Sequence, residues 1–213
     1  MVDGQLRTTD VNQPLLLEAM LLVPREEFVS PEKRNLAYID EHVEIAPARG
    51  GNPARFLMEP SPFGKLVQLA NIAPSDTVID IGCGTGYSAA VLSRIAKSVV
   101  ALEADPVLAD AATANLAKLG CDNVVVVRGD LRSGHPANGP YDVVFVGGSV
   151  ELLDDVLFAQ LREGGRLIAV EGRGNAGKAR IYSKWNGNVT GRSAFNVAIM
   201  PLPGFERAYT FQF

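Results

Sequence analysis

Short apolar runs alternate with helical patterns from residue 77 to residue 170. These runs contain many β-branched residues and little polar alternation, which is typical of strands buried on both faces of a sheet. The predicted strands are 77–81, 98–103, 123–128, 141–146 and 166–170. Helical spacing between them predicts helices at about 86–96, 106–119 and 151–162. Strands separated by helices predict a doubly wound, mostly parallel α/β sheet.

The pattern changes at both ends of the chain. Helical spacing predicts N-terminal helices at 10–23, 31–37 and 63–72, and the many prolines and glycines of 40–62 predict a long loop. Near the C-terminus, 179–185 and 194–202 have the composition of two strands. Asn186-Gly187 lies between them and is a candidate hairpin turn, although the link to the last strand is longer than a tight turn. The sequence therefore predicts an antiparallel pair that closes the sheet.

Composition indicates a globular protein that folds without cross-links. Of 213 residues, 47% are hydrophobic and 21% are charged, and there are two cysteines, Cys83 and Cys121. Two cysteines exclude a disulfide framework and fit a reducing compartment, and the first residues lack a signal-peptide pattern, so we expect a cytoplasmic location. The net charge of -4 argues against a nucleic-acid partner. The apolar stretch 15–23 falls short of the roughly 20 residues that span a membrane, so no membrane partner is expected.

Three glycines alternate directly after the first predicted strand of the sheet. In D80-I-G-C-G-T-G-Y87, Gly82, Gly84 and Gly86 lie between a strand and a helix, at the edge where ligands of open α/β sheets bind. The dinucleotide fingerprint G-x-G-x-x-G would need its third glycine at Tyr87. Asp80 would repel a pyrophosphate but would attract a cation. S-adenosylmethionine carries an ammonium and a sulfonium and no phosphate, so it suits this loop better than NAD does.

The ends of three successive predicted strands each carry an acidic residue. Asp80 lies near the end of the first, and Glu103 ends the second, where a carboxylate can accept hydrogen bonds from both ribose hydroxyls. Asp130 follows the third and could accept a hydrogen bond from an adenine amino group. Each acid alone also suits a helix cap or a turn, but all three in register predict a nucleoside-type cofactor. The predicted cofactor-binding residues are Asp80, Gly82, Cys83, Gly84, Gly86, Glu103, Ala104, Asp130 and Leu131.

Two other reactive residue types have simpler interpretations. Cys83 has no His or Lys nearby in sequence to activate it, so packing is favoured over a reactive thiol. His42 and His135 have no second ligand near them in sequence, so no metal site is predicted.

Several segments, in order along the chain, resemble the protein-L-isoaspartate O-methyltransferases. They are V23-P-R-E-E-F28, A37-Y38-I-D40, D80-I-G-C-G-T-G-Y87, N115-L-A-K-L-G120, G129-D130, P140-Y141-D142 and Q160-L-R-E-G-G165. The resemblance covers about 5–204 and ends in M200-P-L-P-G204. It implies a class I S-adenosylmethionine-dependent methyltransferase fold, which is Rossmann-like, with an N-terminal helical extension. It also implies methyl transfer to the side-branch carboxylate of isoaspartyl residues in damaged peptides and proteins.

We expect one methyltransferase domain over 1–213, built from three parts. The first, 1–72, contains the N-terminal helices and a substrate-side loop. The second, 73–172, is the cofactor-binding α/β core, and the third, 173–213, holds the C-terminal strands.

The chain departs from the family pattern where the reaction centre is expected. The family usually has T-I-S-x-P there, and gapless alignment places its proline at Pro60, its Thr at Phe56 and its Ser at Met58. Ser61 is the nearest hydroxyl and is the candidate catalytic residue; it, or a backbone amide of 55–61, would orient the substrate. The attacking carboxylate, with a reference pKa of about 4, is already ionised at neutral pH and needs no general base. Loss of the serine therefore removes an orienting hydrogen bond and leaves the reactive group intact.

Two alternatives remain open at this point. The chain could bind the cofactor as an inactive or regulatory relative, since both expected hydroxyls are absent. It could also methylate a different acceptor, because Met58 is apolar and Glu59 would repel a substrate carboxylate if it pointed inward.

Overall fold

The computed structural model describes residues 1–49 and 53–207 and centres on one seven-stranded sheet. The strands are β1 Val43–Ala46, β2 Arg55–Leu57, β3 Thr77–Ile81, β4 Ser98–Glu103, β5 Val124–Arg128, β6 Tyr141–Val150, β7 Leu161–Glu171, β8 Lys178–Trp185 and β9 Asn188–Asn196. The large sheet has the order β5-β4-β3-β6-β7-β8-β9. Its first five strands are parallel, whereas β8 and β9 are antiparallel to their neighbours. The predicted parallel sheet with a C-terminal antiparallel pair is confirmed.

Five α-helices pack around the sheet within the described residues. They are α1 Pro14–Leu22, α2 Pro60–Ala70, α3 Tyr87–Ser93, α4 Pro106–Lys118 and α5 Asp155–Ala159. Three of them, α1, α2 and α4, begin with proline, whose fixed φ and missing N–H suit the first helical position. Asp105 caps α4, because its carboxylate accepts from the amides of Val107 and Leu108 at 2.8 and 3.3 Å. No described helix is long and apolar enough to cross a membrane.

Side chains on the two faces of the sheet pack into separate apolar clusters. Along β3, Val78 faces the cluster that α1, α2 and α3 cover, whereas Ile79 faces the cluster that contains Leu157 of α5. Their neighbours on β6 alternate in the same way. Both faces are therefore buried, which explains why these strands lack polar alternation. Asp80 and Glu103 lie on the face that the N-terminal helices cover, because they continue the alternation of Val78 and Ala101.

The predicted loop over 40–62 is wrong in part. It contains β1 and β2, which pair antiparallel with Val43 opposite Leu57, and α2 begins inside it at Pro60. The two strands are four and three residues long, which is too short for an alternating apolar pattern to reveal them. Pro60 and Pro62 suggested a loop, yet proline is compatible with the first turn of a helix. Of this stretch, residues 50–52 lie outside the described residues.

Two C-terminal predictions are also wrong. The last strand is Asn188–Asn196 and not 194–202, so it follows the Asn186-Gly187 turn directly. Both turn residues have positive φ, at 50° and 75°, as the tight hairpin turn requires. Almost every residue of β9 is exposed, so its sequence lacks a buried face. The predicted helix 151–162 shrinks to Asp155–Ala159, because 161–165 joins β7.

Two of the three predicted N-terminal helices are shorter than expected. The helix predicted at 10–23 is Pro14–Leu22, and a 3₁₀ turn at Arg7–Thr9 precedes it. The segment predicted at 31–37 is a 3₁₀ helix, Pro31–Leu36. The remaining predicted elements differ from the observed ones by a few residues at their ends.

Candidate cofactor and substrate site

The glycine loop joins β3 to α3 at the carboxyl edge of the parallel strands. Gly82, Gly84 and Gly86 have φ of 81°, 59° and 98°, a conformation that side chains with a Cβ rarely adopt. A Cβ on Gly84 would lie 2.7 Å from Cδ1 of Ile45, and one on Gly82 would lie 2.5 Å from Cδ2 of Leu202. Side chains from β1 and from the C-terminal segment therefore pack directly against the loop.

Asp80 is buried at the end of β3 and is held by one hydrogen bond. The Ser88 hydroxyl donates to its Oδ2 at 2.5 Å, whereas Oδ1 is buried without a partner among the described residues. Burial raises the pKa of Asp80 to about 7; the Ser88 hydrogen bond opposes this rise, and the charge of Glu103 adds to it. An unpartnered buried acceptor of this kind suits a ligand that brings a cation or a donor.

Glu103 is buried at the end of β4 and forms an ion pair with Arg55 from β2. Nη1 of Arg55 lies 2.6 Å from Oε1, and Nη2 lies 2.9 Å from Oε2. The Arg55 side chain is only 8% exposed, and that of Glu103 is fully buried. Three backbone amides also donate to this carboxylate, at 2.8, 3.0 and 3.1 Å, from Gly84, Ala104 and Asp105.

The remaining predicted cofactor residues lie at the same edge of the sheet. Asp130 is exposed after β5, and its Oδ2 accepts from the amide and hydroxyl of Ser133, at 3.0 and 2.5 Å. Leu131 is buried beside it. Cys83 is buried too, and burial raises the pKa of its thiol well above its usual range. A neutral buried thiol is a poor nucleophile, which fits a packing role.

Two adjoining cavities lie between the glycine loop and β2. One, of about 360 Å³ including open solvent, lies over Gly82 and Gly84. The other, of about 290 Å³, is lined by His42 and Arg55 and by 199–202. Phe56 and Met58 line both cavities. These two residues therefore border both the space over the glycine loop and the space beside His42 and Arg55.

A buried arginine anchors the segment that carries Met58. Nε of Arg25 donates to the Ala37 carbonyl at 2.5 Å, and its Nη2 donates to the Met58 carbonyl. The guanidinium lies 4.8 Å from the centre of the Tyr87 ring. The sequence offered no signal for this role, because the two acceptors lie 12 and 33 residues away along the chain.

His42 fixes the next residue of the same segment. Its Nδ1 accepts a hydrogen bond of 3.1 Å from the Glu59 amide. Burial lowers the pKa of His42, so the ring is neutral at neutral pH and Nδ1 keeps its lone pair. No group of three potential metal-ligating side chains occurs within 1–49 and 53–207.

Sequence and structure comparisons agree on the family. A sequence profile described as "Protein-L-isoaspartate(D-aspartate) O-methyltransferase (PCMT)" matches residues 2–207. This chain belongs to that family. A protein-L-isoaspartate O-methyltransferase from Rhodopseudomonas palustris is 40% identical over 168 residues, which cover 79% of this chain and 74% of the relative. One from Koribacter versatilis is 32% identical over 204 residues, which cover 96% and 89%.

Solved structures share this fold. A protein-L-isoaspartate O-methyltransferase aligns with a TM-score of 0.78 at 29% identity, covering 90% of this chain and 62% of its own, longer chain. A putative protein-L-isoaspartate O-methyltransferase from Plasmodium falciparum, solved in complex with S-adenosyl-L-homocysteine, aligns with a TM-score of 0.75 at 22% identity over 92% and 93%. The class I methyltransferase fold predicted from the sequence is confirmed.

The chain differs from the family pattern around Pro60. The positions of the family's Thr and Ser hold Phe56 and Met58, and both side chains face the cavities. Ser61, the expected substitute, lies in the first turn of α2, and its hydroxyl donates to Thr9 at 2.9 Å. Among the described residues that line the two cavities, Ser61 is absent. The structure therefore brings Asp80, Glu103 and the glycine loop together, but it does not bring Ser61 to them.

Proposed function

We propose that this chain is an S-adenosylmethionine-dependent methyltransferase that acts on the carboxylate of L-isoaspartyl residues in damaged proteins. The observation that carries the proposal is the set of acids at the ends of β3 and β4 and after β5, around the glycine loop, in a member of this family. Consecutive β-α units bring these acids to one edge of the sheet, where ligands of such folds bind.

The residues of the site fit this cofactor in their chemistry. Asp80 has a buried oxygen without a partner among the described residues, which suits the ammonium group. Glu103 would accept the ribose hydroxyls, and Asp130, with Leu131 beside it, would face the adenine. The positive φ of Gly82 and Gly84 leaves the backbone open to close approach. When bound, the cofactor supplies a methyl group on an already electrophilic sulfonium.

On the substrate side, the chain orients the acceptor and excludes water. The acceptor carboxylate is ionised at neutral pH and needs no base, so its position governs the rate. Arg25 and His42 fix the backbone of Met58 and Glu59. We propose that backbone amides of 55–61 orient the carboxylate, because the Ser61 hydroxyl is bonded to Thr9. The apolar side chains of Phe56 and Met58 keep water from the methyl group.

We propose that one domain carries this activity, with 1–72 on the substrate side, 73–172 holding the cofactor and 173–213 closing the sheet. Its partners would be isoaspartyl-containing peptides and proteins, and not nucleic acid, given the net charge of -4. We also propose a cytoplasmic location, because Cys83 and Cys121 are free thiols.

The test uses labelled S-adenosylmethionine and two peptides that differ only in one linkage, isoaspartyl or aspartyl. We expect a base-labile methyl ester on the isoaspartyl peptide and background label on the other. Calorimetric titration with S-adenosylhomocysteine tests the cofactor site separately. Binding without a methyl ester on either peptide would overturn the substrate assignment, and absence of binding would overturn the cofactor assignment.

A further inference from the structure

The acceptor capacity of Glu103 is already filled by this chain. Arg55 donates to both carboxylate oxygens, and the amides of Gly84, Ala104 and Asp105 donate as well. A carboxylate has about four lone-pair sites, and these five donors exceed that number. A ribose bearing two hydroxyls would therefore find no acceptor site left on Glu103 while Arg55 remains in place.

Strand β1, which pairs with β2, makes a second contact with the glycine loop. Ile45 of β1 contacts the glycine loop so closely that a Cβ on Gly84 would lie 2.7 Å from its Cδ1. β1 and β2 are hydrogen-bonded neighbours, so Ile45 and Arg55 are attached to one unit. Arg55 also donates to the Gly82 carbonyl at 3.4 Å. Two side chains of this unit thus occupy the surface that the cofactor would contact.

Arg55 also lines the space of about 290 Å³, open solvent included, that His42 and Met58 border. Most residues around this space are apolar, but it is partly open to solvent. A guanidinium that leaves Glu103 can therefore be hydrated there while its methylene stem packs against the apolar residues.

We propose that Arg55 competes with the cofactor ribose for Glu103, and that cofactor binds only to molecules in which Arg55 has released this carboxylate. The proposal rests on the proposed function, because it assumes that Glu103 holds the ribose. The apparent dissociation constant then equals the intrinsic one divided by the fraction of molecules in the released state. If about one molecule in ten is released, removing Arg55 tightens binding by about tenfold.

The experiment is calorimetric titration of S-adenosylhomocysteine into four proteins: wild type, Arg55→Met, Glu103→Gln and the double variant. We expect Arg55→Met to bind about tenfold or more tightly than wild type, since its side chain cannot pair with Glu103. In the Glu103→Gln background the same substitution should change affinity by less than about threefold, because the contested carboxylate is gone. Arg94→Met, which removes an exposed arginine at the end of α3, is the matched control and should leave affinity unchanged.

Circular dichroism and thermal unfolding show whether each variant folds. If Arg55→Met does not fold, Arg55→Lys replaces it. An ammonium group cannot form the bidentate pair with Glu103, so we expect this variant to bind more tightly than wild type but by less than about tenfold. Equal or weaker binding by the Arg55 variants, with wild type binding normally, overturns the competition and leaves the proposed function standing. If neither wild type nor any variant binds S-adenosylhomocysteine, both the competition and the proposed function are overturned.

Discussion

The hydroxyl of Ser88 donates a 2.5 Å hydrogen bond to one oxygen of Asp80, whose other oxygen has no partner among the described residues. Ser88 lies in the first turn of α3 and Asp80 near the end of β3, so the glycine loop between them sets this contact. Burial raises the pKa of Asp80 to about 7. The charge of this carboxyl therefore changes within the physiological range, and a bound cation would favour its ionised form.

Asp80→Asn should stabilise the protein increasingly as pH rises. The unfolded pKa is about 4 and the folded pKa about 7, so between them only the folded state holds the proton. Stability of the wild type therefore falls from about pH 4 to pH 7 through this group, and asparagine removes that loss. We expect a gain on the order of 4 kcal/mol at pH 8 and almost none at pH 4, measured by urea unfolding.

The control for this prediction is Asp122→Asn, which changes an exposed aspartate. Its effect should stay within about 0.5 kcal/mol at every pH. A gain from Asp80→Asn that is the same at pH 4 and pH 8 would contradict the assigned ionisation.

Arg25→Met should destabilise the protein by about 2–4 kcal/mol. The substitution leaves the carbonyls of Ala37 and Met58 without their donor in a buried region, at about 1–3 kcal/mol each. It also removes the stacking on Tyr87, while relief of the buried charge offsets part of the loss. Urea unfolding measures the change. Arg34→Met, at a half-exposed arginine 3.4 Å from Glu27, is the control and should cost less than about 1 kcal/mol; equal losses would refute the anchoring role of Arg25.

Phe56→Thr/Met58→Ser should raise isoaspartyl methylation. Both residues line the two cavities beside the glycine loop, so the new hydroxyls would lie where we propose that the acceptor carboxylate binds. Removal of one positioning donor costs about 10²–10³-fold in rate in other enzymes, so we expect kcat/KM to rise by up to that order. The matched control is Phe56→Val/Met58→Ala, which removes the same bulk without adding hydroxyls. If kcat/KM of the control rises as much, the bulk of Phe56 and Met58, and not the lack of hydroxyls, limits the rate. If kcat/KM rises in neither variant, the missing hydroxyls do not limit the reaction.

Gly84→Ala should destabilise the protein more than Gly120→Ala does. Both glycines have nearly the same positive φ, 59° and 63°, so backbone strain of about 1–2 kcal/mol is common to them. Only Gly84 faces a neighbour, Cδ1 of Ile45, whereas nothing lies within 4 Å of a Cβ on Gly120. In an Ile45→Ala background the difference in destabilisation between the two substitutions should shrink. Urea unfolding of Gly84→Ala and Gly120→Ala, each with and without Ile45→Ala, measures this change. If Ile45→Ala leaves the difference unaffected, contact with Ile45 does not contribute to the cost of Gly84→Ala.

The parallel part of the sheet was predictable because each of its strands has an apolar pattern within its own sequence segment. The strands β3 to β6 are largely apolar runs, and the helices α3 and α4, which connect β3 to β4 and β4 to β5, favour a parallel sheet. β1 and β2 are only four and three residues long and β9 is almost fully exposed, so pairing with a neighbouring strand, and not a long apolar face, places them. That information depends on a neighbouring strand and does not appear in the segment itself.

The sequence by itself determined the family fold, the glycine loop and the acids Asp80, Glu103 and Asp130 at one sheet edge. These follow from chain connectivity, because parallel strands joined by helices all end on the same side. The tertiary structure decided what each of these groups contacts. Glu103 forms an ion pair with Arg55, 48 residues away, and the Ser61 hydroxyl donates to that of Thr9, 52 residues away. Such contacts arise only when separate segments pack, and packing depends on the shape of the whole core.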